Sequence, residues 1–286
     1  MNDQAPLIRN ISDTALWVAH YRADENDRAD RVFSDPFARR LAGKRGGEIA
    51  GSTSFLKGVA WPFIARTWLI DKMISEHVEQ GFDTVINLAA GLDTRPYRMA
   101  LPESFKWVEV DLPDILKYKE EILQGENPRC QFERIVLDLS NRPARQELLQ
   151  RLGSQSRKAM VITEGLLVYL KQEQVIELAE DLASQPSIQR WVTDLSSPGL
   201  VEMMNRKMGA ALKQANAPFQ FGPEEGPRFF EKYGWKKLEV HSMLKTAREL
   251  KRLPLFLRVM SYLVGGRKPS AKSKRPWSSV CLFGRD

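Results

Sequence analysis

The sequence predicts an α/β protein with a doubly wound, seven-stranded, mostly parallel sheet, a helical N-terminal cover and lid insertions. From residue 84 onward, short runs rich in β-forming residues alternate with helical stretches, a pattern typical of strand–helix–strand units. The runs are largely apolar, as expected for parallel strands that are covered on both faces. The predicted strands are TVINLAA (84–90), KWVEVDL (106–112), ERIVLDL (133–139), AMVITEGL (159–166), QRWVTDLS (189–196), KKLEVHS (236–242) and SVCLFGR (279–285).

The helices are predicted from their apolar spacing. Residues 1–80 form the predicted cover, and within it the stretch 64–80 places Ile70, Ile74 and Val78 four residues apart on one helical face. Gly81 is a plausible end for this helix. Two further helices, 113–123 and 172–183, lie between predicted strands.

Length and composition indicate one globular domain, 1–286, with its Rossmann-like core at 81–286. The chain has 286 residues, of which 43% are hydrophobic and 28% charged, and this excludes a disordered or fibrous protein. No apolar run approaches the roughly 20 residues that cross a bilayer, and the N-terminus shows no signal sequence. Two cysteines, Cys130 and Cys281, give neither a disulfide framework nor a metal cluster. We therefore expect a cytoplasmic protein.

Two insertions interrupt the core. The segment 198–223, rich in Gly, Pro and Met, leaves the fifth strand and is either a lid over the ligand crevice or a surface helix pair. The segment 245–275 holds ten basic residues and one acid, so it carries +9 and the remaining residues carry −2 of the chain's +7. It is either a docked helix with a solvated basic rim, a substrate-covering element, or a peripheral contact with anionic membranes.

A turn of small residues follows the first strand, at Ala89, Ala90 and Gly91, and a helix is predicted to start near Thr94. Small residues let the backbone approach a ligand, and helix N-terminal N–H groups bind anions. Asp93 and Thr94 are equally consistent with ordinary helix caps. By itself the turn is a weak signal.

Acids follow at the ends of the next strands. Asp111 ends the second strand, where a carboxylate can accept hydrogen bonds from both hydroxyls of a ribose. Alternatively, it can cap the helix that starts at Pro113. Asp138 and Leu139 end the third strand, where they suit an adenine ring, and Glu164 ends the fourth. Parallel strands deliver these groups to one crevice at the switch point, so they predict an adenosine-type site.

The cofactor that suits such a site is S-adenosylmethionine. The turn reads A-A-G-L-D, so the G-x-G-x-x-G motif that seats a pyrophosphate is absent, as is a P-loop. An acidic pocket without a phosphate cradle suits a cationic cofactor that lacks phosphate. Arg66 on the preceding helix can pair with the cofactor carboxylate, or can be a solvated helix arginine.

These motifs resemble the leucine carboxyl methyltransferase-like family, which includes bacterial polyketide methyltransferases of the tetracenomycin type. The resemblance spans roughly 12–170 and rests on SDTALWVAHYRADE, DPFARRLAG, ARTWLID, NLAAGLDTRPYR, VEVDLPDILKYK, VLDLSN and TEGLLVYL, with weaker similarity in FFEKYGW and the final strand. It implies a class I methyltransferase fold and a cofactor site at Arg66, Ala89, Gly91, Asp93, Asp111, Leu112, Asp138, Leu139 and Glu164, with Arg22 assisting.

Two residues depart from the family pattern. Ala89 stands where members often have glycine, and we expect the alanine to fit with a negative φ. Asn87 stands where many other class I methyltransferases have an acid. We expect cofactor binding to survive both changes.

The resulting prediction is a metal-independent O-methyltransferase that acts on a carboxyl or hydroxyl group of a polyketide-like or other small molecule. His20, His77 and His241 are interpreted as structural, Tyr97 and Tyr169 as packing or hydrogen-bonding groups, and no catalytic base is assigned. The alternatives are a nucleic-acid methyltransferase, for which the [DN]-P-P-[YF] run is absent, and a non-catalytic Rossmann-like binding protein. No nucleic-acid partner is expected, and the acceptor and the oligomeric state are left open.

Overall fold

A computed structural model describes residues 11–52, 59–214, 217–258 and 275–285. Within them lie seven strands: β1 (Thr84–Leu88), β2 (Lys106–Asp111), β3 (Gln131–Val136), β4 (Ala159–Thr163), β5 (Ile188–Ser196), β6 (Lys236–Ser242) and β7 (Ser278–Gly284). The α-helices are α1 (Ile11–Asn26), α2 (Ala38–Gly51), α3 (Trp61–Glu79), α4 (Arg95–Arg98), α5 (Pro113–Ile122), α6 (Arg142–Ser154), α7 (Gln172–Ala183), α8 (Pro198–Gln214) and α9 (Met243–Glu249).

All seven strands form one sheet with the order β3-β2-β1-β4-β5-β7-β6. Strands β1 to β5 pair in parallel, and β7 runs antiparallel between β5 and β6. The predicted doubly wound, mostly parallel sheet is therefore confirmed. Because the strand order reverses between β1 and β4, a crevice opens at their carboxyl ends, where ligands bind in such sheets.

Both faces of the sheet are covered by apolar clusters. Every residue of β1 and β4 is buried, which explains why these strands are apolar without alternation. Trp191 and Trp235 belong to the cluster on one face, and Trp107 and Met73 belong to the cluster on the other. The central strands are thus held rigidly, and their tips have fixed positions.

The N-terminal helices lie over the carboxyl ends of the strands. Helices α1 and α2 touch closely at Gly46, where an added Cβ would lie 2.5 Å from the Leu16 carbonyl oxygen. Arg22 of α1 donates to the Leu92 carbonyl at 2.6 Å and to Asp35 at 2.9 Å, and Thr94 donates to the same Asp35 carboxylate at 2.8 Å. These bonds fasten the cover to the loop after β1.

Several predicted boundaries shift by a few residues. Helix α3 begins at Trp61 rather than 64, and β3 ends at Val136, so Asp138 follows the strand by two residues. The insertion at 198–223 contains a single described helix, α8, rather than a helix pair. Most of LPLFLRVMSYLVGG (253–266) lies outside the described residues. None of the described helices has both the length and the apolar character needed to cross a membrane.

Candidate functional site

A cavity of about 680 Å³ lies at the carboxyl ends of β1, β2, β4 and β5 and the loop after β3, beneath α1 and α8. The structure brings all nine predicted site residues to its wall, together with Arg22. The sequence therefore predicted which residues converge; their roles toward a cofactor stay predictions. The nine are Arg66, Ala89, Gly91, Asp93, Asp111, Leu112, Asp138, Leu139 and Glu164.

The turn after β1 adopts a left-handed backbone at two positions. Gly91 has a φ of 51°, and Ala89 has a φ of 56°. The expectation that Ala89 would keep a negative φ is wrong, because the chain reverses here between β1 and α4. A left-handed conformation costs a non-glycine residue about 1–2 kcal/mol. The turn is therefore formed at the expense of some local strain.

The Asp111 carboxylate is fixed by two backbone donors. Its Oδ2 accepts from the Gly91 N–H at 2.6 Å, and its Oδ1 accepts from the Leu112 N–H at 2.7 Å. Burial raises the pKa of Asp111, and these two hydrogen bonds oppose the rise. The residue that caps α5 is Leu112, so the capping role considered for Asp111 is not what the structure shows. Each oxygen keeps a lone pair that can accept from a diol.

The predicted adenine-side residues lie in the loop after β3. Asp138 is exposed, and its Oδ1 accepts from the Ser140 N–H at 2.9 Å. The Leu139 carbonyl accepts from Arg145 Nη1 at 2.5 Å, and Arg145 also binds Asp181 of α7 at 2.6 Å. The loop is thereby held against α6 and α7, with the Leu139 side chain at the cavity wall.

Arg66 and Glu164 are bound to each other. Arg66 Nε donates to Glu164 Oε1 at 2.8 Å, and its Nη1 donates to Asp194 Oδ2 at 3.0 Å. Asp194 Oδ1 accepts from the Gly165 N–H at 2.6 Å. The alternative of a solvated helix arginine is wrong, since Arg66 is buried. These bonds use two of the five guanidinium N–H groups, so Arg66 keeps donor capacity for a ligand.

The network continues through Arg95. Its Nη1 donates to Glu164 Oε2 at 2.8 Å and to Asp93 Oδ2 at 2.7 Å, while its Nε donates to Asp71 at 2.6 Å. Burial acts to raise the pKa of Asp93, but the charges of Arg95, Lys119 and Arg98, together with the hydrogen bond from the Arg95 backbone, outweigh it and lower the pKa to about 2. Burial likewise acts to raise the pKa of Glu164, and the charges of Arg95 and Arg66 lower it.

Sequence reasoning missed Arg95, Asp71 and Asp194. Asp194 did carry a signal, because it lies near the carboxyl end of the fifth predicted strand, as Asp111 and Glu164 do for theirs. Arg95 and Asp71 carried none, since nothing in the periodicity says which opposite charges meet. With Arg98, which also binds Asp71, the network holds four carboxylates and three guanidinium groups. The network therefore carries an excess of one negative charge, and its members Asp93, Glu164 and Asp194 lie at the cavity wall.

The rest of the cavity wall is aromatic and rich in methionine. Tyr169 packs against Phe219 with ring centroids 5.2 Å apart. Burial raises the pKa of Tyr169, and a hydrogen bond with the Thr14 side chain opposes the rise. Helix α8 contributes apolar side chains, so the predicted lid segment does cover the crevice. The apolar lining includes Trp17, Trp61, Phe63, Leu200, Val201, Met203, Met204 and Leu257.

None of the three histidines is among the residues of the cavity wall. His77 is buried, and its Nδ1 lies 2.7 Å from the Met73 carbonyl oxygen. His20 lies 3.4 Å from Asp24, and His241 lies 2.6 Å from Glu239. Each has a structural partner, which agrees with the interpretation of all three as structural residues.

The sheet order and the acid-lined crevice together define a class I, Rossmann-like methyltransferase that depends on S-adenosylmethionine. The chain belongs to the leucine carboxyl methyltransferase family, whose pattern its residues 15–183 match. The resemblance seen in the motifs is thereby confirmed.

Relatives support this membership. A candidate S-adenosyl-L-methionine-dependent methyltransferase from Parafrankia sp. (strain EAN1pec) is 30% identical over 282 residues, covering 90% of this chain and 87% of its own. Another from Frankia alni is 30% identical over 235 residues, covering 78% and 82%.

Solved structures share the fold. A DUF574 family protein from Streptomyces avermitilis has a TM-score of 0.58 at 11% identity, covering 96% of this chain and 97% of its own. A candidate methyltransferase from Thermobifida fusca has the same TM-score at 12% identity, covering 98% and 96%.

Proposed function

We propose that the protein transfers a methyl group from S-adenosylmethionine to an oxygen of an apolar small molecule, and that a carboxylate is a better acceptor than a phenol. The observation that carries the proposal is the cavity itself, since its polar, acid-lined wall continues directly into an aromatic and methionine-rich wall. The first suits a cationic nucleoside, and the second suits an apolar acceptor such as a polyketide-like acid.

The residues of the polar wall fit the cofactor. Asp111, fixed by two backbone bonds, presents acceptors for the ribose hydroxyls. Arg66 retains donors for the cofactor carboxylate, and Asp138 and Leu139 border the place expected for adenine. The net negative network beside Glu164 favours positive charge. When bound, S-adenosylmethionine supplies an electrophilic methyl carbon on a sulfonium.

The choice of a carboxyl acceptor rests on the state of three groups of the cavity wall, Glu164, Asp194 and Tyr169, none of which is well suited to act as a base. Glu164 and Asp194 are both engaged by Arg66, and burial raises the pKa of Tyr169. A phenol, with a pKa near 10, needs a base to become a good nucleophile, whereas a carboxylate is already ionised. This wall can therefore orient an acceptor and exclude water, but it cannot readily remove a proton.

The protein accelerates methyl transfer mainly by holding the cofactor and the acceptor close together. The rigid strand tips fix the cofactor side of the cavity, and α1 and α8 enclose the acceptor side. Holding two reactants in a reactive geometry supplies about 7–11 kcal/mol of a barrier, which is enough for transfer between groups that are already reactive.

The test is methyl transfer from isotope-labelled S-adenosylmethionine to matched pairs of aromatic acids and phenols, including polyketide-type acids. We expect labelled methyl esters and little phenol ether, with products assigned by mass spectrometry. The Asp111→Ala variant is the control and should give none. Transfer to phenols alone would contradict the carboxyl preference, and transfer to nucleic acid alone would overturn the proposal.

A further inference from the structure

Asn87 at the carboxyl end of β1 presents a hydrogen-bond acceptor that no described residue satisfies. The residue is 1% exposed, and its Oδ1 is buried without a hydrogen-bond partner, while it also belongs to the wall of the cavity. Buried polar atoms are nearly always satisfied, so an orphaned one beside a cavity indicates a donor that a ligand brings.

The neighbouring Asp93 carboxylate determines that the unpaired amide atom of Asn87 is the oxygen and not the nitrogen. Asn87 Nδ2 donates to Asp93 Oδ2 at 2.8 Å. Asp93 is held by the backbone N–H and Nη1 of Arg95, at 2.8 and 2.7 Å, and its pKa is lowered to about 2. An ionised carboxylate only accepts, so the amide nitrogen must face Asp93 and the amide oxygen must be the other atom.

The surrounding contacts indicate what kind of donor fits. A continuous series of hydrogen bonds runs from Arg66 through Glu164, Arg95 and Asp93 to Asn87. At one end of this series Arg66 offers guanidinium donors, and at the other end Asn87 offers an amide acceptor. A ligand that carries a carboxylate and an ammonium on one carbon can use both ends, and this is the amino-acid end of the cofactor.

We propose that Asn87 Oδ1 accepts a hydrogen bond from the α-ammonium of S-adenosylmethionine, which makes Asn87 a cofactor-binding residue. This rests on the proposed function. Asn87 lies beside Ile162 of β4 in the register of the sheet, and Glu164 follows two residues later. The acceptor is therefore at the switch point, where the amino-acid end is expected to lie.

The same geometry explains why an amide replaces the acid that many class I methyltransferases have at this position. A carboxylate in place of the amide would lie about as close to the ionised Asp93 as Nδ2 does, and two carboxylates at that separation cannot both ionise. With Arg95 stabilising the Asp93 charge, the neutral amide keeps the loop hydrogen-bonded and leaves a carbonyl oxygen for the ligand. Asp93 supplies the negative charge instead.

The test compares two ligands that differ only in the amino group: S-adenosylhomocysteine and its deaminated analogue. Calorimetry should show that the wild type prefers the amine-bearing ligand. Asn87→Ala should weaken its binding by about tenfold to a hundredfold, as for a hydrogen bond to a charged group, and should leave the deaminated analogue unchanged. Asn127→Ala, an exposed asparagine outside the cavity wall, is the matched control and should change neither affinity.

A second variant covers the case in which Asn87→Ala does not fold. Asn87→Ser leaves a small polar side chain in the pocket but removes the amide group with its oxygen, and it should lose the preference in the same way. If either folded variant loses affinity for both ligands equally, Asn87 acts only by holding the Asp93 loop, and the inference is overturned. If the wild type binds neither S-adenosylmethionine nor S-adenosylhomocysteine, the proposed function itself fails.

Discussion

The backbone strain at Ala89 can be measured by replacing it with glycine. With a φ of 56°, the alanine destabilises the folded state by about 1–2 kcal/mol. Glycine would relieve this strain, but it would also make the unfolded chain more favourable by about 0.4–1 kcal/mol, because it has more conformational freedom there. Ala89→Gly should therefore raise the free energy of unfolding by about 0.5–1 kcal/mol in urea titration. Ala90→Gly, next to it without a positive φ, should lower it. Equal effects of both variants would show that the turn carries no strain.

Asp111 is the residue that we predict to bind the ribose of the cofactor. Both of its oxygens are already oriented by Gly91 and Leu112, so its position does not rely on the ligand. Asp111→Ala should abolish binding of S-adenosylmethionine in calorimetry, with the fold checked by circular dichroism. Near-normal binding by a folded Asp111→Ala variant would remove the assignment of the ribose site.

Asp93 gives a prediction about pH. Its pKa falls from 3.8 to about 2 on folding, so it stabilises the folded state fully above pH 4 and this contribution is lost as the pH falls to about 2. The contribution is about 2 kcal/mol, because a tenfold change in a proton affinity corresponds to about 1.36 kcal/mol. In denaturant titrations Asp93→Asn should be less stable than wild type at pH 6, and the gap should shrink between pH 4 and pH 2. A gap that is constant with pH would contradict the assignment.

At the scale of secondary structure, the sequence predicts the strands well because their signal is local. The predicted strand 236–242 matches β6 residue for residue, and 172–183 matches α7. The predicted ends of β1 and β3 extend too far, since apolar residues continue into the loops that line the cavity. The site residues at the strand tips were predictable because the strands themselves have a local signal. The left-handed backbone of Ala89 and the partners of Arg66 were not, because they depend on tertiary contacts.

The connection between the basic segment and the cover is a buried ion pair. Arg252 Nε and Nη2 bind the two oxygens of Glu25 in α1 at 2.8 and 2.9 Å, and both side chains are buried. Arg252 is therefore not part of a solvated basic rim, although that interpretation of 245–275 includes it.

Arg252→Ala should lower the free energy of unfolding by about 3 kcal/mol, because it leaves the buried Glu25 carboxylate with only the Val32 N–H at 2.8 Å and the Arg28 guanidinium at 3.8 Å. Lys245→Ala removes an exposed cation that lies 3.8 Å from Glu249, and it should change stability by less than about 1 kcal/mol. Urea titration of both variants measures the difference. Similar small losses would show that Glu25 finds water or another partner.

For the whole molecule, the uneven charge leads to a prediction about membrane surfaces. The segment 245–275 carries +9 against −2 for the remaining residues. At its described start, Leu255 and Phe256 are 76% and 73% exposed, while the neighbouring Leu257 faces the cavity. Exposed apolar side chains next to basic residues are the combination that binds anionic lipid surfaces.

We therefore expect the protein to sediment with phosphatidylserine-containing vesicles at low salt and to be released as the salt concentration rises, because screening weakens attraction between surface charges. Replacing Leu255 and Phe256 together by serine should reduce this binding at least tenfold, since each side chain contributes about 1.5–3 kcal/mol when buried. Val136→Ser, an exposed apolar residue on edge strand β3, should have no effect. Binding that is equal on neutral vesicles, or unchanged by salt, would contradict an electrostatic contact between this segment and anionic membranes.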